Sequence, residues 1–386
     1  MVAVAANLRP AAAAVGPVVD QIRASLGLSS TAASALLALP LVCFGAAALL
    51  APPLAARLGH SRSIGVALVL LAAGLLLRVT GGVAELFAGT LLAGAAIAIV
   101  NVMLPVVVKG RFAGRTGYAT AVYMASLTGV AALAAALTVP IEHALGGGWQ
   151  TALGVWALPA GLALIAWAPQ LRDPAPSRSD TGAPPANRPA VPARALLRDP
   201  VARQLVVFFG LQAASFYAIL SWLPTIFQAD GLSATTAGFL LGVSMFMGLP
   251  AALMVPGLAT RASDQRFFPV GLCALTAIGF VGLIVAPTSV PLLWAALIGL
   301  GQGAAFPLAM TMIVLRSGAV AVTTALSTLV QGSGYLIAAC GPLLVGAIHD
   351  LTGSWSIALG VLACLLIPQA LSGAVAGRPV RVGEPR

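Results

Sequence analysis

The residue best equipped for chemistry is Arg9. It lies in the stretch NLRPAAAAVGPVVDQIR, residues 7–23, among alanine, valine, glycine and proline. A guanidinium cannot shed its proton in a protein. Its cost at the centre of a bilayer runs from about 2.5–3.5 kcal/mol on insertion scales to about 10–17 kcal/mol in simulations of isolated helices. Something must offset that cost. Asp20, Glu85, Glu142 and Asp230 all fall near the ends of apolar runs, and no Asp or Glu falls in the middle of one. A mobile anion is the natural complement, because the planar fork of donors suits a carboxylate-like group bidentately. The competing reading is an arginine near the chain start that snorkels to the membrane surface.

Other polar residues recur at helical spacing. Asn101, Pro105 and Lys109 follow i, i+4, i+8 and share one face. Lys109 opens the basic cluster KGRFAGR and reads as a surface anchor; Asn101 faces either a cavity or a neighbouring helix. Gln212 and Phe216 are one turn apart, followed by Tyr217 and then Trp222 before Pro224. Aligning Pro17 with Pro224 sets Phe216 at the position equivalent to Arg9. This predicts an aromatic wall facing a cation, a layout that would hold a small planar anion. Trp222 belongs either to the pocket or to an interfacial belt. Gln302 lies between Gly301 and Gly303, which allow close approach. Ser327, Gln331 and Tyr335 form the cleanest polar stripe, which either lines a cavity or bonds between helices; Tyr123 and Ser126 are a weaker counterpart. His143 and His349 sit beside Glu142 and Asp350 at helix ends.

Several chemistries are excluded. Cys43, Cys273, Cys340 and Cys364 lie in apolar runs without metal-ligand spacing. There is no H-E-x-x-H, no G-x-S-x-G, no pair of central carboxylates and no Walker A motif. The chain therefore reads as no enzyme, with no metal, no cofactor and no direct use of ATP.

The elements that must position these residues are membrane helices. The chain of 386 residues is 60% hydrophobic and 8% charged, where a soluble domain carries about 25% charged residues. Apolar runs of about 20 residues fit helical spans rather than barrel strands. Twelve are expected, the first over 2–24 and the last over 353–376, in an all-α integral membrane fold. No cleavable leader is expected, and the first span begins either at the membrane surface or in residues upstream of Met1. The segment PQLRDPAPSRSDTGAPPANRPAVPARALLRDP, residues 169–200, reads as a flexible linker. It divides the chain into a six-helix bundle at 1–169, a linker at 170–200, a second six-helix bundle at 201–378 and a tail at 379–386. Arginine crowds the linker side, whereas only Arg23 and Arg78 fall in the opposite loops. That bias places the linker and both termini in the cytoplasm. The net charge of +10 is spread over separate short loops, which argues against nucleic-acid binding.

The two bundles repeat. GLSSTAASALLALPLVCFGAAALLAPPLAAR at 27–57 aligns without a gap on GLSATTAGFLLGVSMFMGLPAALMVPGLATR at 231–261, with 14 of 31 positions identical. Pro52 meets Pro256 and Arg57 meets Arg261. The second and eighth helices then cross in the same direction, so the halves are parallel repeats. Two parallel six-helix halves joined by a cytoplasmic linker are the plan of the major facilitator superfamily. The stretches NLRP (7–10), NVMLPVVVKGRF (101–112), SFYAILSWLPTIFQADGLS (215–233), GLGQGAAFPLAMTMIVLRS (299–317) and QGSGYLIAACGPLLVGAIHDLTGSW (331–355) resemble its cyanate/nitroimidazole permease branch. The loop PPLAARLGHSR at 52–62 departs from the wider superfamily, with Ala56 where an acid would stand.

The resemblance implies a cavity between the halves, lined by the first and fourth helices of each, and transport by alternating access. The expected function is secondary active or facilitative transport of a small organic or inorganic anion across the inner membrane. Arg9 would carry the charge. Asn101, Tyr123, Gln212, Phe216, Tyr217, Gln302, Gln331 and Tyr335 would complete the site. Protons are the candidate coupling ion, and the protein is expected to act as a monomer. The alternative is an efflux permease for small drugs or nitroheterocycles.

Overall fold

The computed structural model describes residues 1–111, 116–172, 193–318 and 320–382. Most of the linker, residues 173–192, lies outside them, as do the side chains of Pro52, Ala56, Pro105 and Lys109. Among the described residues the regular structure is entirely helical. The spans are α1 (Val2–Leu26), α2 (Ser30–Leu58), α3 (His60–Leu77), α4 (Val83–Arg111), α5 (Thr116–Leu145) and α6 (Gly148–Leu171) in the first half. The second half holds α7 (Pro200–Ala229), α8 (Ala234–Arg261), α9 (Phe267–Val285), α10 (Pro291–Leu315), α11 (Val320–Thr352) and α12 (Trp355–Ala376). Eleven are long and apolar enough to cross a membrane over their described residues, and α2 contributes a shorter apolar stretch, Ser30–Phe44.

The repeat has a local cause. Gly27 and Gly231 both take positive φ, +65° and +92°, a conformation open to glycine without a Cβ penalty. Two residues later a serine caps the next helix: Ser29 Oγ accepts from Ala32 N at 3.1 Å, and Ser233 Oγ from Thr236 N at 3.2 Å. Gly-Leu-Ser is thus a turn-and-cap unit that starts α2 and α8 alike. The packing repeats as well. α4 packs on α2 and α3 as α10 packs on α8 and α9, and α3 meets α6 as α9 meets α12. Between halves, α2 packs on α11 and α5 on α8, a second symmetric pair.

Alternate helices run in opposite directions, so one end of the bundle carries the residues flanking the linker and the other is remote from it. The halves are sealed together at the remote ends. A Cβ on Gly238, near the start of α8, would lie 2.8 Å from the carbonyl oxygen of Ala135 in α5, so only glycine allows that approach. The carboxylate of Asp350 in α11 accepts hydrogen bonds from Ser30 N (3.1 Å), Thr31 N (2.7 Å) and Thr31 Oγ1 (2.6 Å) at the start of α2. His349 stacks on Trp355 at 3.8 Å between ring centres, with its Nδ1 3.4 Å from Ser30 Oγ. Arg23 lies over the ring of Trp222, 6.0 Å from its centre. Trp222 itself is fully buried and donates to Pro342 O at 3.2 Å, so it is a packing residue of the seam and not part of an interfacial belt.

The first span, expected over 2–24, is bent, as Pro10 and Pro17 suggest from the sequence. It is broken into Val2–Ala5, Pro10–Ala13, a 3₁₀ turn at Gly16–Val18 and Val19–Leu26. Proline accounts for the breaks: Pro10 and Pro17 each stand in the first turn of a new segment, where their missing N–H costs nothing.

Candidate functional site

The break in α1 sets Arg9. Its carbonyl accepts from Ala12 N and Ala13 N, both at 3.0 Å, which starts the Pro10–Ala13 turn. Asn7 anchors the preceding residues, donating from Nδ2 to Ala3 O at 2.7 Å and to Pro159 O of α6 at 3.1 Å. The Arg9 side chain lies on the wall of a cavity of about 470 Å³ between the halves. That volume falls in the usual range for small-molecule sites. The cavity extends past Pro256 of α8 and Met310 and Thr311 of α10, toward the linker end, while the opposite end is sealed by the seam of Asp350, Trp222 and Gly238.

Five residues expected at the site join Arg9 on this wall: Gln212, Phe216 and Tyr217 from α7, Gln302 from α10 and Tyr335 from α11. The Arg9 guanidinium carbon is 5.4 Å from the centre of the Phe216 ring, a cation–π distance. An anion inserted between the two would need about 7 Å, two van der Waals separations. Phe216 therefore backs the cation rather than facing it across a ligand. Phe216 and Tyr217 meet edge to face at 5.2 Å, and Tyr335 packs edge-on against Phe44 at 5.4 Å and Phe209 at 5.3 Å. Gln302 donates from Nε2 to Ser215 Oγ at 2.7 Å. The Oε1 atoms of Gln212 and Gln302 are buried with no protein partner, two acceptors that only a hydrogen-bond donor can satisfy. Among the described residues no Asp or Glu lines the cavity or pairs with Arg9.

Three expected residues lie elsewhere. Asn101 extends the α4 stripe Thr90, Ala93, Gly94, Ile97 by one turn toward the linker end, beyond both cavities. Tyr123 lines neither cavity and packs in the core of the first half with Leu8 and Ala11, within electrostatic reach of Arg9 and Tyr335. Gln331 turns back along its own helix and donates to Ser327 Oγ at 2.7 Å. Its polar stripe splits, and only Tyr335 reaches the cavity.

Arg78 reads from the sequence as an outer-loop residue, and the structure corrects this. Its side chain is 1% exposed. Nη1 donates to Ala11 O at 2.8 Å and Nη2 to Leu153 O at 3.5 Å. Ala11 O is available because Val15 N bonds one residue closer, to Ala12 O at 3.2 Å. Burial pushes the Arg78 pKa down to about 10, so it stays a cation at neutral pH. The signal was present in the sequence: Arg78 is one of only two arginines that break the positive-inside bias.

A family model described as Major Facilitator Superfamily matches residues 7–339. The 2-nitroimidazole transporter of Escherichia coli (strain K12) is 36% identical over 97% of this chain and 93% of its own length. The cyanate transport protein CynX of the same organism is 34% identical over 92% of this chain and 90% of its own. Among solved structures, the nucleoside transporter NupG superposes with a TM-score of 0.75 at 12% identity, over 97% of this chain and 98% of that one. With its spans in two parallel halves around a central cavity, this chain belongs to the major facilitator superfamily.

Proposed function

We propose that this protein is a secondary transporter of small anions, carboxylate-like or cyanate-like, working by alternating access in the cytoplasmic membrane. The observation that carries the reading is Arg9: a cation on the central cavity, backed by an aromatic ring and without an acidic partner among the described residues. A site built this way gains most from a ligand that brings the missing negative charge. The hydroxyls of Tyr217 and Tyr335 and the amide N–H groups of Gln212, all donors, would orient it. The cyanate transporter relative supports the charge class. The cavity volume leaves room for larger organic anions.

The arginine bias supports a cytoplasmic linker and cytoplasmic termini. The cavity then faces the cytoplasm in this state. Among the described residues no carboxylate lines it, so any proton coupling would pass through the substrate, which leaves Arg9 once protonated. The chain is proposed to act as a monomer.

The test is uptake of labelled cyanate, formate and benzoate into proteoliposomes. Arg9→Gln is expected to lose at least about tenfold in uptake, the scale of one charge-assisted hydrogen bond. Uptake at the wild-type rate would refute the role given to Arg9. The second reading, export of neutral nitroheterocycles, draws on the apolar wall formed by Phe216, Met245, Phe306 and Met310 and on the nitroimidazole transporter relative. It predicts transport of 2-nitroimidazole that survives Arg9→Gln.

A further inference from the structure

Arg9 borders a second, smaller chamber. This space of about 40 Å³ lies beyond Arg9 toward the sealed end and is bounded by Arg9, Arg78, Tyr217, Ser221 and Thr90, with apolar walls from α2. Two arginines therefore line one space. Arg78 is buried, and its Nε has no partner. Its two acceptors are neutral carbonyls, and no carboxylate pairs with it among the described residues. Structural need accounts for the two carbonyl bonds. It accounts for neither the uncompensated charge nor the unpaired Nε, both of which cost heavily in a low-dielectric interior.

We propose that this chamber is a second anion subsite, on the far side of Arg9 from the central cavity, with Arg78 as its cationic wall. The proposal rests on the anion-transport reading and extends it. A space of this size, at about 10–15 Å³ per water-sized sphere, holds about three non-hydrogen atoms. It selects triatomic anions such as cyanate and excludes aromatic carboxylates, which fit only the central cavity. Arg9, shared by both spaces, would pass a small anion between them. Larger anions would use the central cavity alone.

The test compares cyanate with benzoate on the purified full-length protein, read as thermal stabilisation at constant ionic strength with gluconate as the balancing anion. Arg78→Gln removes the cation; Ser221→Leu fills the chamber and leaves Arg78 intact. Both are expected to weaken cyanate at least about tenfold more than benzoate, as the loss of a charge-assisted partner or of the space itself demands. Arg78→Lys should restore part of the cyanate affinity in the first case. Should Arg78→Gln fail to fold, Ser221→Leu carries the test, with benzoate as its internal reference. Equal loss of both anions, or no loss of either, overturns the subsite and leaves the central site standing. If the wild type is stabilised by neither anion, the underlying anion reading falls instead.

Discussion

Replacing Asp350 by alanine should open the sealed end. In wild type its carboxylate caps the start of α2 from across the seam, taking three hydrogen bonds from Ser30 and Thr31. An N-cap side chain is worth about 0.5–2 kcal/mol, and a negative charge at a helix N-terminus adds about 0.3–1 kcal/mol. Together these amount to about 1–3 kcal/mol. α2 keeps its own cap, Ser29 Oγ on Ala32 N, so the helix survives the change. The loss falls on the contact between halves, which exists only in the sealed state. A coupling of that size moves the ratio of far-end-open to far-end-sealed molecules by about 5- to 150-fold. Spin labels at Leu145 and Thr235, exposed residues at the remote ends of α5 and α8, report this away from the mutation, in a background with the four cysteines replaced. Asp350→Ala is expected to transfer amplitude to the longer distance, and Asp350→Asn to fall between it and wild type. A distance distribution identical to wild type in Asp350→Ala would refute the reasoning.

Gly238→Val should open the same seam by steric force, since its Cβ would sit 2.8 Å from Ala135 O; the same label pair should show the longer distance, and an unchanged distribution would mean that α5 and α8 slide apart at no cost. Arg316 is buried and donates from Nε to Ala376 O and from Nη2 to Gly377 O, both at 2.9 Å, and to Gln265 Oε1. Arg316→Ala leaves Ala376 O and Gln265 Oε1 without their donor at the linker end of α12, while Gly377 O keeps the bond from Gln265 N at 3.1 Å. It should lower stability by about 2–3 kcal/mol, seen as a lower unfolding temperature in detergent, with the uptake rate of the folded fraction unchanged.

The repeat is the part of the fold most legible in sequence. Gly-Leu-Ser at 27–29 and 231–233 is a local unit in which a left-handed glycine and a capping serine suffice, so identity of residues carries identity of geometry. Arg9, Gln212, Phe216, Tyr217, Gln302 and Tyr335 were likewise visible, because a polar residue in an apolar run stands out and helical spacing tells which residues share a face. The same logic overreached at Gln331 and Asn101. Helical spacing gives the face but not the direction in which a flexible amide turns, and Gln331 found Ser327 within its own helix.

What the sequence determined alone is what local physics can determine. Apolar length sets the spans, Gly-Leu-Ser marks the repeat, and proline marks the breaks in α1. Only the tertiary structure decided which groups face each other across the seam. Asp350 caps a helix 320 residues away in the chain, and Arg78 enters the interior because the tightened turn at Ala12–Val15 leaves Ala11 O without its helical partner. Neither partnership has a periodicity, since each joins a side chain to backbone groups exposed by a distant helix end. The seal at the end remote from the linker follows from such contacts. So does the chamber lined by two arginines.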